Sequence, residues 1–169
     1  TLDLQELPED LDRNFDPLKD KILGPVPEQY ELLAIASADG VIRVFSPRTG
    51  RLMCSADSHG GGPIWSIVPV GDRRVMAGCE DGVVRLYEMS ADGLDLSFVS
   101  VVDRAPSSGK IHQIAFNKTV NSLAVALDDG NVRIVDLENP VKTKSSMFRP
   151  SAIPTALAWS LNGNALFVG

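Results

Sequence analysis

The chain has 169 residues, 44% of them hydrophobic and 22% charged, a composition that builds a folded core and excludes a disordered chain. No run reaches the roughly 18 apolar residues of a membrane-spanning helix, and no charged stretch leading into an apolar one marks a secretory leader. A net charge of −6 argues against a broad phosphate-binding surface.

Residues 1–29 stand apart. Within residues 1–24, Asp3, Glu6, Glu9, Asp10, Asp12, Asp16 and Asp20 outnumber Arg13, Lys19 and Lys21, so the chain's excess acid is concentrated there. Leu4, Leu7 and Leu11 have helical spacing, but Pro8, Pro17, Pro25 and Pro27 interrupt any long helix. This segment reads as an acidic N-terminal arm or linker.

From residue 30 onward the chain reads as short strands. Residues 32–37 form a first strand, Asp39-Gly40 a turn, Val41 to Phe45 a second strand and 51–56 an outer one. After Ser58-His59 and three glycines comes an inner strand at 63–68, a turn at Gly71-Asp72, and strands at 75–79 and 83–87 around Asp81-Gly82. An outer strand at 94–102 follows. The same order then returns: an inner strand at 110–116, strands at 122–127 and 132–135 around Asp129-Gly130, and an outer strand at 141–148. Strands at 154–159 and 165–169, joined by 161–164, open a further unit.

The Asp-Gly pairs recur at intervals of 42 and 48 residues, each followed by a run carrying Arg43, Arg85 or Arg133. Glycine accepts positive φ and aspartate tolerates it, so such a pair between apolar runs predicts a hairpin. The flanking runs are apolar at nearly every position, which predicts strands covered on both faces. Sheets packed face to face around an axis provide that cover.

These features resemble the WD40-repeat family. Ser58-His59 with Pro63-Ile64-Trp65-Ser66-Ile67 is similar to its loop histidine and inner strand, and Cys79 to Tyr87 is similar to its second and third strands. The family's third-strand tryptophan is replaced by Phe45, Tyr87 and Val135, and only His59 stands at the loop-histidine position. The resemblance implies an all-β, WD40-type β-propeller over residues 30–169, about three to four blades of a larger seven-bladed ring, the last blade incomplete. Gly169 falls where the next hairpin is expected, so further chain or another subunit is expected to close the ring. A shorter stretch, Gly61 to Ser66 with Gly78 to Gly82, resembles the cirhin-like WD-repeat proteins of the small-subunit processome, which implies a nucleolar scaffold in ribosome assembly.

No residue set points to catalysis. Asp57, Ser58 and His59 are triad residue types, but adjacency in sequence is not triad geometry, and no GxSxG elbow is present. A strand rather than a helix follows Gly60-Gly61-Gly62, so that stretch reads as a flexible connection between blades and not as a phosphate cradle. The turn aspartates lie in separate blades and do not converge on a metal ion, and Cys54 and Cys79 read as buried reduced thiols. Trp65 and Trp159 read as core anchors between blades. The recurring arginines read as strand residues with their stems packed along the blades.

The sequence therefore predicts a non-enzymatic scaffold that needs no cofactor and no metal. Its partners are expected to be other protein subunits of a large assembly, with peripheral RNA contact and neither membrane nor small-molecule substrate. Glu80, Asp128, Lys110 and His112 are the expected partner-binding residues, and the loops at 90–94 and 138–144 are further candidates. Asp39, Gly40, Asp81, Gly82, Asp129, Gly130 and His59 are expected to hold turns and loops. Ribosome biogenesis in the nucleolus is the specific expectation; a cytoplasmic ubiquitin-ligase receptor or vesicle-coat subunit is the alternative.

Overall fold

The computed structural model describes residues 31–105, 109–138, 144–146 and 153–169. The acidic arm at 1–29 and most of the candidate loop at 138–144 lie outside them. Among the described residues the chain is all β, thirteen strands in four antiparallel sheets, which are WD40-type propeller blades.

The first sheet is β1 (Leu33–Ala36), β2 (Val41–Phe45) and β3 (Leu52–Asp57), in that order. The second is β4 (Ile64–Val70), β5 (Arg74–Cys79), β6 (Val83–Met89) and β7 (Leu96–Arg104). The third repeats it with β8 (Ile111–Asn117), β9 (Ser122–Leu127), β10 (Val132–Asp136) and β11 (Lys144–Ser146). A fourth pairs β12 (Leu157–Trp159) with β13 (Leu166–Val168). Strands alternate in direction, so the Asp-Gly turns and the loop before each inner strand share one end of the sheets, the turn face.

Each Asp-Gly hairpin is a four-residue turn with the pair in its third and fourth positions. The N–H groups of Gly40, Gly82 and Gly130 donate to the carbonyls of Ser37, Cys79 and Leu127 at 3.0, 3.2 and 3.2 Å. All three glycines have positive φ, 77°, 73° and 81°, which a side chain would strain. The aspartate at the third position accepts the N–H two residues on, from Val41, Val83 and Asn131.

Apolar faces close one core per junction. Val75, Ala77, Cys79 and Tyr87 meet Ile42 and Cys54 between the first and second sheets. Met76 and Val84 meet Ile111, Ile114, Leu123 and Val125 between the second and third, and Ala124, Ala126 and Val132 meet Leu157 at the next junction. Odd residues of β5 thus serve one junction and the even Met76 serves the other, which is why these strands are apolar throughout. Both cysteines are free and buried. Burial pushes the Cys54 thiol up to about 11 and raises that of Cys79.

The sheets are also joined by a repeated polar bond. Ser66 Oγ accepts the N–H of Ile114 at 3.1 Å, and Gln113 Oε1 accepts that of Leu157 at 3.1 Å. Ser66 and Gln113 occupy the same place in β4 and β8, just after a bulged residue, Trp65 in one and His112 in the other. Trp159 adds an indole N–H to the carbonyl of Ala115 at 3.0 Å and does anchor one blade to the next.

Candidate functional site

The turn face is built first by the loop from Asp57 to Pro63. His59 N–H donates to Asp57 Oδ1 at 2.7 Å, and Nδ1 lies 3.1 Å from the same carboxylate. The imidazole packs on the second sheet, edge-on to Phe98 with centroids 4.5 Å apart and stacked at 6.2 Å on Tyr87. Tyr87 is fully buried at the family's tryptophan position. Burial pushes its phenol up to about 12, and its hydroxyl donates to the Asp57 carbonyl at 3.0 Å.

Two of the three glycines after His59 are closely seated. A Cβ on Gly61 would sit 2.5 Å from Arg85 Nη1 and 3.0 Å from Cys79 Cβ. A Cβ on Gly40 would sit 2.7 Å from the Gly62 carbonyl oxygen. The loop is pressed between two blades, and glycine lets the backbones approach. Gly60, by contrast, has open space around it.

The recurring arginines are ion-paired, which packing of their stems alone did not predict. Arg85 binds Asp81 through both terminal nitrogens, at 2.9 and 2.6 Å, with its side chain 8% exposed. Burial works to raise the Asp81 carboxyl, but the hydrogen bonds and charge of Arg85 outweigh it and hold the group below the usual carboxylate range. Arg43 pairs with Asp39 in the open through Nη2 alone, at 2.6 Å, while its Nη1 donates to Ser37 Oγ at 3.4 Å. Arg133 instead crosses to the neighbouring blade and grips Asp103 at 3.1 and 2.9 Å, the two side chains 12% and 11% exposed. The Asp-x-x-x-Arg spacing was readable for the first two; the third depends on a neighbour the local sequence does not show.

Between the second and third blades the turn face presents a composite patch. Trp65 is 46% exposed, so it is not the core anchor expected of it. As the bulged residue of β4 it escapes the in-out alternation of the strand and turns toward solvent. Its indole N–H donates to the Glu80 carboxylate, and Lys110 Nζ lies 4.3 Å from the ring centroid. Glu80 is fixed by its own N–H to the Pro63 carbonyl at 2.9 Å. The Asp128 N–H binds the Lys110 carbonyl in the equivalent way at 3.0 Å. The structure thus joins Glu80 and Lys110 through Trp65, with the backbone of Asp128 alongside. His112, the bulged counterpart of Trp65, has a buried Nε2 without a hydrogen-bond partner among the described residues. The turn after Ser90, held by Ser90 Oγ bonds to Asp92 and Asp95, lies at the opposite end of the sheets from this patch.

Two similarities to known proteins bear on this surface. Residues 50–88, from the end of the first blade's turn to β6, match the family described as WD domain, G-beta repeat. Over 164 aligned residues the chain is 26% identical to U3 small nucleolar RNA-associated protein 4 of Schizosaccharomyces pombe, covering 88% of this chain and 22% of that protein. The chain therefore spans about a fifth of the length of the curated relative it matches.

Proposed function

We propose that this chain, whose sheets are WD40-type propeller blades, is a non-enzymatic scaffold that docks protein partners on its turn face. The observation that carries this reading is Trp65, an exposed aromatic held in one orientation by Glu80 and Lys110 from two blades. Aromatic anchors dominate binding energy at protein interfaces, and an anchor already fixed loses little entropy on association. The bonds joining Ser66 to Ile114 and Gln113 to Leu157 keep the blades beneath it in register. Larger ring closure and the domain limits at 30–169 belong to the same proposal.

The assembly we propose is one of early ribosome biogenesis in the nucleolus. Similarity to a protein named for association with U3 small nucleolar RNA supports this, together with the cirhin-like stretch around Trp65 and Glu80. The test is affinity capture of the chain followed by mass spectrometry and RNA sequencing. Recovery of other WD-repeat subunits with U3 and pre-ribosomal RNA is expected, and Trp65→Ala should lose direct protein partners while remaining folded. Nuclease-insensitive recovery of cytoplasmic adaptor or coat subunits alone would replace the ribosomal reading with the cytoplasmic one.

A further inference from the structure

We propose that Trp65 and Glu80 form a cation-recognition site, filled by Lys110 in the free chain and taken over by a basic side chain of a protein partner on docking. This rests on the reading of the turn face as a docking surface and names the chemistry of its partner.

The argument starts from what surrounds the ring. An indole face attracts a cation, and a carboxylate at the ring's edge attracts one further. Trp65 supplies the face and Glu80 the carboxylate, locked together by the indole N–H. Lys110, 4.3 Å from the ring centroid, shows that a cation fits there. Among the described residues no carboxylate lies within ion-pair distance of Lys110, and its ammonium sits over the ring. A cation–π contact at an exposed site is worth only about a two- to fivefold factor, so this occupant is readily displaced.

An arginine is the better occupant. Its planar guanidinium stacks on an indole while offering paired donors to a carboxylate, and lysine does neither. Charge points the same way: Glu80, Lys110 and Asp128 include one more acid than base. A base of single-stranded RNA could also stack on Trp65, but the Glu80 carboxylate beside the ring opposes the phosphates that would come with it. The structure therefore favours a basic segment of a protein.

The experiment titrates the chain with three probes by calorimetry: an Arg-Gly repeat peptide, an Asp-Gly repeat peptide and oligouridine. The arginine peptide is expected to bind. Glu80→Gln should weaken it about tenfold, as loss of a charge-assisted bond does. Lys110→Met should tighten it about two- to fivefold, as removal of a competing cation does. Lys118→Met makes the same charge change in the turn after β8, at the other end of the sheets, and should leave affinity unchanged. No binding of the arginine peptide overturns the proposal. Equal binding by Glu80→Gln, or weaker binding by Lys110→Met, overturns it as well. Binding of the acidic peptide or the RNA that Lys110→Met abolishes would transfer recognition to the lysine. If Trp65→Ala loses captured partners while the arginine peptide fails to bind, the docking surface stands and the cation site falls. If Trp65→Ala keeps every partner, the docking reading itself fails.

Discussion

The hydroxyl of Tyr87 donates to the carbonyl oxygen of Asp57 at 3.0 Å, tying the third strand of the second blade to the end of the first. The same ring supports His59 and Phe98, so one buried phenol joins the loop, the junction and the outer strand. Tyr87→Phe keeps the ring and removes the bond. A loss of about 1 kcal/mol in urea unfolding is expected, against about 3–5 kcal/mol for Tyr87→Ala, which also empties the core.

Tyr87 also sets an alkaline limit. Its folded pKa is raised by burial from 10.0 to about 12. A group raised in the folded state stabilises fully below its unfolded pKa, and that contribution is lost as pH rises through the folded one. Stability should therefore fall between about pH 10 and 12, and Tyr87→Phe should flatten that fall in melting temperatures measured across the range. The buried thiols of Cys54 and Cys79 add a loss of the same sign, so a slope should remain in the variant.

Gly78 tests blade contact directly. A Cβ there would lie 2.6 Å from Ile111 Cγ2 on the inner strand of the next blade. Gly78→Ala is expected to cost about 1–3 kcal/mol by overpacking. Combined with Ile111→Ala, it should cost less than the two single changes added together, which a double-mutant cycle would show.

Two arginines of the same repeat position should behave differently. Arg133→Met leaves Asp103 buried without its partner and should cost about 3 kcal/mol in chemical unfolding. Arg43→Met breaks a pair open to solvent and should leave the unfolding midpoint nearly unchanged. Equal effects would deny that the Arg133–Asp103 pair joins the blades.

The hairpins were legible because an Asp-Gly turn is decided by its own few residues, and three copies in register leave no other reading of the strands beside them. The patch was only half legible. Glu80 and Lys110 could be placed by their positions before a turn and before an inner strand, but Trp65 looked like core because it sits in an apolar run. A bulge between Ile64 and Ser66 reverses that, and nothing local in the run announces a bulge. Arg133 was opaque for a related reason: its partner is thirty residues away on another blade. The tight seating of Gly61 against Arg85 is equally nonlocal, and a run of three glycines read alone resembles a hinge.

The central claim is that partners dock on the turn face where the second and third blades meet. Hydrogen–deuterium exchange of the chain alone and within its captured assembly tests this most directly. The account predicts slower exchange on assembly in the peptides holding Trp65, Glu80 and Lys110, with the turns at Gly71 and Gly163 unchanged. Protection confined to those far turns, with the Trp65 peptide exchanging as it does in the free chain, would contradict it.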